Sequence, residues 1–382
     1  MRIALIATHH ADYAANLAAA LAERHEVLLI LSRRNAGRQI RPEAMAWLKA
    51  RMEVRIVPHH LAPLQPLVAL LCARHIARFD ADVVHVQEHP THAMAQLATL
   101  LRGRVPLVTT VHDPLPHSGD DARAAQVYAK SYALLRAASD RILVHGDCLV
   151  RALAGTGVAA DKVAAVPHGV LRFGRHGAGV PRARPAPARL IFFGRMEAYK
   201  GLEELLAANA LWLQADPAAG PRPELVIAGC GPELSRLAPR LDAPNITLLR
   251  GRIDQAELES LVATSTAAVL PYRDATQSGV IASSFGAGRP VIATRVGALP
   301  GAVGDAGLLV PQGDVAALAQ AGLALVRDAG LRTRLERAVE ARCAEALCWQ
   351  KIAGQTLELY AEARGAAARA RRHSPALAPA FT

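Results

Sequence analysis

The sequence predicts an α/β chain of two doubly wound domains, and three observations carry that reading. Short β-rich runs alternate with Ala/Leu-rich helical stretches from one end to the other. The runs are continuously apolar instead of alternating with polar residues, as strands of parallel sheets covered on both faces are. The length of 382 residues exceeds one typical core and fits two domains of roughly 150 to 200 residues each.

In order, the first half carries "RIALIA", "EVLLIL", "EVRIV", "DVVHV", "PLVTTV" and "RILV", and the second carries "LIFFG", "ELVIAG", "AAVLPY" and "PVIAT". Between them, His168 to Arg189 is dense in Gly, Pro and Arg, as an exposed connector would be. The expected division is therefore a first domain over 1–170, a linker over 171–189 and a second domain over 190–345. The final stretch, 366–382, mixes small residues, prolines and arginines without periodicity and is expected to be a disordered tail.

Composition narrows the function classes. Apolar content of 52% marks a globular chain, and the longest apolar runs, such as Leu67 to Ala73, fall far short of the ~18 residues a membrane span needs. The opening "MRIALIATHH" reads as a first strand, too short for the apolar region of a secretory signal. Five scattered cysteines without CxxC spacing point away from a disulfide framework or zinc site and towards a reducing cytoplasm. A net charge of +11 admits phosphorylated ligands, anionic lipid or nucleic acid as partners. Aromatic content of 4% leaves little for base stacking and no nucleic-acid-binding motif appears, so no nucleic-acid partner is expected. A peripheral seat on the inner face of an anionic membrane remains compatible with the charge.

In an open parallel sheet, ligands bind beyond the carboxyl ends of the strands, where loops lead into helix N-termini. The stretch "IFFGRMEAYKGLEELLAA" places Gly194 and Arg195 at such an end, with Lys200 and Gly201 leading into a helix. Arginine grips phosphate oxygens in a fork and lysine adds a point charge, so the pair suits a diphosphate; two solvated loop cations are the plainer account. In "VIAGCGPEL", Gly229 and Gly231 would let a nucleotide approach the backbone, and a tight turn explains them equally well. In "LPYRDATQSGVIASSFGAGRPVIATRVGALP", Thr276, Gln277, Ser278 and Gly279 stand just ahead of a helix, where side chains and N–H groups can meet an anion. In "PLVTTVHDPLPHSGD", His112 ends a strand, and His9 and His10 end the first strand similarly, as cleft-lining residues would.

Two patterns are decoys. "HVQEH", His85 to His89, matches a zinc-protease motif that needs both histidines on one helical face, but His85 completes a strand and Pro90 follows His89. "DAD", Asp80 to Asp82, lies before its strand, at the wrong end for a ligand.

Taken together these motifs resemble the retaining glycosyltransferases of family 4, the group 1 glycosyl transferases of GT-B fold. "GRMEAYKGLEELLAA", "IAGCGPEL", "LPYRDATQSGVI" and "GRPVIATRVGALP" with "GLLVPQGD" occur in the family's order, and "TVHDPLPHSG" and "VHGDCL" with "VPHGV" extend the likeness across the first half. The resemblance implies two Rossmann-like domains whose parallel sheets face each other across a cleft, and a last helix, about 346–365, crossing back to the first domain. It implies that Arg195 and Lys200 bind the diphosphate of a nucleotide sugar, which is a substrate and not a cofactor, and that His112 contacts the donor sugar. It further implies that Gly229 to Pro232, Arg252 and Ile253 lie by the nucleoside, with Gln277, Ser278, Gly279 and Val280 at the donor, and that the loops at His9 to Tyr13 and at His117 to Arg123 form the acceptor side. The family's E-x7-E glutamates are replaced by Ala275 and Ser283 in a TQSG-type variant. The expected activity is retaining, metal-independent transfer of a hexosyl group to a glycan, lipid-linked or small-molecule acceptor. A GT-B nucleotide-sugar epimerase and a non-catalytic nucleotide-sugar-binding subunit are the alternatives.

Overall fold

A computed structural model describes residues 1–59, 64–116, 120–172, 174 and 188–373 of the chain. The first sheet contains β1 (Arg2–Ala7), β2 (Glu26–Ser32), β3 (Glu53–Val57), β4 (Val83–Gln87), β5 (Leu107–Thr110), β6 (Arg141–Val144) and β7 (Val163–Ala165). The second contains β8 (Arg189–Arg195), β9 (Glu224–Cys230), β10 (Ile246–Arg250), β11 (Ala267–Leu270), β12 (Val291–Thr294) and β13 (Gly307–Val310). The sheet orders are β3-β2-β1-β4-β5-β6-β7 and β10-β9-β8-β11-β12-β13, with parallel pairing throughout. Each is a doubly wound sheet whose order reverses beside its first strand.

The continuous apolar runs follow from burial on both faces. Ile3, Leu5 and Ala7 of β1 join one core with Leu29 and Leu31, while the alternate residues Ala4 and Ile6 join another with Leu28 and Ile30. A strand packed by helices on both sides cannot show period two. Three strands were not among the predicted runs: β7, β10 and β13. All three are sheet edges, only partly buried, so they need less apolar sequence than central strands.

The last helix, Trp349–His373, leaves the second domain and packs on the helix Ala11–Leu21 and against β5 and β6 of the first. Its Trp349 ring lies over Gly169, where a Cβ would come within 2.5 Å of it, and its Nε1 donates to the Val170 carbonyl at 2.8 Å. Tyr360 hydroxyl meets His85 Nδ1 at 2.7 Å. The helix continues to His373, which corrects the expected tail at 366–373; the Ala- and Arg-rich sequence there has high helix propensity and simply extends the preceding turns. Residues 374–382 and most of the linker, 175–187, lie outside the described residues.

Both decoys resolve as anticipated from their position. His85 lies in β4 while the next helix starts only at His92. Asp80 is a left-handed helix C-cap, and Asp82 accepts from the Arg2 amide at 2.8 Å, closing a helix-to-strand turn.

Trp349 anchors the last helix by both packing and its hydrogen bond. Trp349→Ala is expected to destabilise the first domain by about 3–5 kcal/mol, read as a lower urea midpoint; an unchanged midpoint would show that the helix is not a structural element of that domain.

Candidate functional site

Both reversal points of strand order open into one cleft of about 1210 Å³ between the domains. From the first domain its walls include His9 and His10 after β1, Glu88 and His89 after β4, and His112 and Asp113 after β5. From the second come Gly194 and Arg195 at the end of β8 and Tyr272, Ala275, Gln277 and Ser278 after β11. This is the location at which doubly wound sheets hold ligands.

On the second-domain side, Arg195 is exposed to the cleft and its Nη2 donates to the Tyr199 hydroxyl at 3.1 Å. Lys200 is buried, its Nζ 3.2 Å from the Tyr272 hydroxyl and 3.3 Å from where a Cβ on Gly194 would stand. Glycine at 194 therefore keeps the ammonium against the strand end. Gly201, at φ 71°, caps the following helix Leu202–Gln214; a Cβ there would collide with the Pro271 carbonyl, so glycine lets β8's helix start meet the end of β11. The helix Gly279–Gly286 begins at the cleft, and the Ser278 hydroxyl accepts from the Val280 amide at 3.2 Å as its N-cap. Gln277 Oε1 beside it is buried without a hydrogen-bond partner among the described residues, and such groups are ordinarily paired.

The first-domain wall is built of imidazoles. His112 is buried, with Nε2 2.9 Å from Gln87 Oε1 and Nδ1 3.2 Å from His145 Nε2. Its ring stacks on His10 at 3.8 Å between centroids, and His9 stacks on His89 at 4.3 Å. His10 takes a left-handed φ of 53° to reach that position. Burial first, and then neighbouring imidazoles, hold His10, His112 and His145 well below the ordinary histidine range, so these rings are neutral. On this wall Glu88 receives two bonds from Arg136, at 2.8 and 2.6 Å, so that carboxylate is already paired; burial still raises its pKa.

Of the sequence-predicted residues, Arg195, Lys200, His112, Gly194, Gln277, Ser278, Gly279, Val280, Ser283, His9 and His10 line the cleft. Gly229 and Gly231 are not among the lining residues, and Cβ atoms there would strike the Gly194 carbonyl and the Met196 backbone, so glycine at both positions allows close strand-to-loop packing beside Gly194. Arg252 reaches across to the Arg38 carbonyl of the first domain at 3.1 Å, and Ile253 packs on the second core. Tyr13 is buried behind the histidines, edge-on to His112 at 5.0 Å. His117 lies outside the described residues. Sequence reasoning missed His89, His145, His168, Glu88, Arg136 and the tyrosines at 199 and 272. A usable signal existed for the histidines, since each of β1, β4, β5, β6 and β7 is followed within a few residues by one. Arg136 reaches Glu88 from a separate helix 48 residues on, which no local pattern reveals.

Across the cleft the Thr276 hydroxyl donates to the Asp113 carboxylate, and at one end Arg41 holds Glu259 at 2.7 Å and the Gln255 carbonyl at 2.9 Å. Two doubly wound domains facing each other through their switch points, with cations on one lip, define the GT-B class. The family described as Glycosyltransferase Family 4 matches residues 11–170, and that described as Glycosyl transferases group 1 matches residues 187–328. A glycogen synthase of Mycobacterium tuberculosis (strain CDC 1551 / Oshkosh) is 29% identical over 299 residues, covering 74% of this chain and 69% of the relative. A D-inositol 3-phosphate glycosyltransferase of Streptomyces bingchenggensis is 32% identical over 291 residues, covering 69% of this chain and 62% of the relative. The crystal structure of Anabaena HepE in complex with UDP-glucose superposes with a TM-score of 0.68 at 16% identity, over 94% of this chain and 99% of that one. The chain belongs to the group 1, family 4 glycosyltransferases.

The neutral histidine wall has a pH signature. The unfolded chain takes up protons near the ordinary histidine value of 6.5, whereas burial lowers His168 to about 4 and His85 to about 3. Stability is therefore expected to fall as pH drops from about 6.5 towards 4. Asp12, raised to about 7 by burial, and Glu88, also raised by burial, act in the opposite direction but are two groups against several imidazoles. Thermal melts across this range check it: His85→Gln should give a shallower fall than the native chain.

Proposed function

We propose that the chain transfers a glycosyl unit from a nucleotide-sugar donor to an acceptor hydroxyl with retention of configuration, using Arg195 and Lys200 to hold the donor diphosphate. The observation that carries this reading is the placement of both cations on one lip of the interdomain cleft, beside the start of the helix Gly279–Gly286. Charge builds on a diphosphate as its bond to the sugar breaks, and fixed donors aimed at it lower the barrier without reorganising. Tyr199 and Tyr272 hold the two cations in place before any ligand arrives. The binding of UDP-glucose by HepE, named in its structure, supports a nucleotide-sugar donor for a chain of the same fold.

Retention is supported by what the cleft offers. A double displacement needs a carboxylate nucleophile about 5 Å from a second carboxyl group; of the two carboxylates lining the cleft among the described residues, Glu88 is engaged by Arg136 and Asp113 accepts from the Thr276 hydroxyl, while the family's glutamate positions hold Ala275 and Ser283. Front-face attack, with a donor phosphate oxygen taking the acceptor proton, asks no carboxylate of the protein. His112 and His10 then bound the sugar pocket from the first domain as neutral rings, and Gln277 offers its unpartnered Oε1 to a sugar hydroxyl. The diphosphate grip needs no metal, because the protein's own cations neutralise it.

Among the described residues, no helix is long and apolar enough to cross a membrane. Exposed Leu67 and Leu70 beside exposed Arg74 and Arg78, on a chain of net charge +11, support a peripheral seat on an anionic cytoplasmic membrane surface.

A thermal-shift panel of nucleotide sugars identifies the donor by the rise in melting temperature, and transfer is then assayed with that donor. Lys200→Ala is expected to lower kcat by at least ~100-fold while the protein still folds; wild-type turnover in this variant would remove the assignment. Chelator should leave transfer intact, whereas loss restored by added Mg2+ or Mn2+ would place a metal at the diphosphate.

A further inference from the structure

Three adjacent parallel strands of the first sheet, β5, β6 and β7, are followed by His112, His145 and His168. Each offers one ring nitrogen, and the three nitrogens lie within 4.8 Å of one another. The hydrogen bonds around them fix which nitrogen is offered. His145 Nδ1 is 3.1 Å from the Val166 carbonyl oxygen and His168 Nδ1 is 2.8 Å from the Gly169 carbonyl oxygen. A carbonyl only accepts, so both Nδ1 atoms carry the proton and both Nε2 atoms keep a lone pair. His112 Nε2 faces Gln87 Oε1, again an acceptor, at 2.9 Å, which leaves its Nδ1 with a lone pair.

That Nδ1 sits 3.2 Å from His145 Nε2. Two lone pairs at this separation repel unless a cation lies between or beside them. A proton is the simplest cation, yet one shared between His112 Nδ1 and His145 Nε2 leaves the His168 lone pair unused. A metal ion differs, because it gathers all three lone pairs at once.

We propose that His112, His145 and His168 form a binding site for a divalent transition cation of the zinc and cobalt class. Imidazole ligands select such ions over magnesium or calcium. Nitrogens about 2.0–2.1 Å from a tetrahedral zinc stand about 3.4 Å apart, so the 3.2 Å pair is already at ligand spacing, and a nitrogen of the third ring lies within 4.8 Å of both. The Val166 and Gly169 carbonyls and the Gln87 amide orient the rings as outer partners of metal-bound histidines do. The site is on the domain opposite Arg195 and Lys200 and does not serve the diphosphate. An ion there ties down the His112 ring, so loading slows transfer instead of supporting it. The inference rests on the histidine geometry alone and stands or falls separately from the donor assignment.

The test uses the full chain, free of any affinity tag and stripped of metal by chelator and dialysis. Titration with Co2+ is followed by visible d–d absorption, and binding of Zn2+ by equilibrium dialysis. The expected result is one equivalent of Co2+ with the intense bands of a tetrahedral, nitrogen-rich site, displaced by Zn2+. His145→Gln and His168→Gln should each weaken binding at least ~10-fold, and His92→Gln, whose ring lies outside the cluster against Ser131, should not. Failure of the native chain to bind stoichiometrically overturns the proposal. So does equal binding by His145→Gln and His168→Gln variants whose metal-free melts match the native chain. Either result would mean that the lone-pair conflict is relieved by rotation of the Gln87 amide, with a proton shared between His112 and His145.

Discussion

Parallel strands deliver all their carboxyl ends to one edge of a sheet, and everything functional in this molecule depends on two such edges being held face to face. At each edge the strand order reverses, beside β1 in one sheet and beside β8 in the other, so the two loops flanking the reversal diverge and leave a crevice. Because the sheets are buried on both faces, their strands are rigid platforms. The side chains at their ends inherit that rigidity: Lys200 is held by the Tyr272 hydroxyl and the His112 ring by Gln87.

The two lips of the cleft divide the electrostatic labour. The second domain contributes full positive charges at the end of β8. The first contributes a wall of imidazoles whose burial keeps them neutral, so that side adds shape and hydrogen bonding without further charge. An anionic ligand is thereby drawn to one lip only, which orients it. Of the carboxylates on that side, Glu88 is paired with Arg136 and Asp113 accepts from Thr276.

Holding the lips together falls to contacts distant from the chemistry. Arg41 and Glu259 are largely buried between a helix of each domain, and a charge left alone at such a place is costly, roughly 3–5 kcal/mol. Asp113 and Thr276 meet across the cleft itself. The helix Trp349–His373, belonging by sequence to the second half, completes the core of the first.

Much of this was legible in the chain. Continuous apolar runs at "RIALIA" and "LIFFG" determined strands buried on both faces, and the alternation with helices determined parallel sheets, because no other layering satisfies both. The position of Arg195 and Lys200 at a strand end followed from "IFFGRMEAYKG" by the same logic. Edge strands β7, β10 and β13 escaped notice since partial burial demands no apolar run, and Gly229 and Gly231 serve packing that their sequence neighbours do not announce. What only the tertiary structure decided is convergence: that His112, His145 and His168 from three successive strands share one point, that Arg136 reaches Glu88, and that Arg252 turns to the opposite domain. Local sequence fixes the direction in which a strand end points; the distance between two strand ends is set by sheet order and domain closure, which are properties of the whole chain.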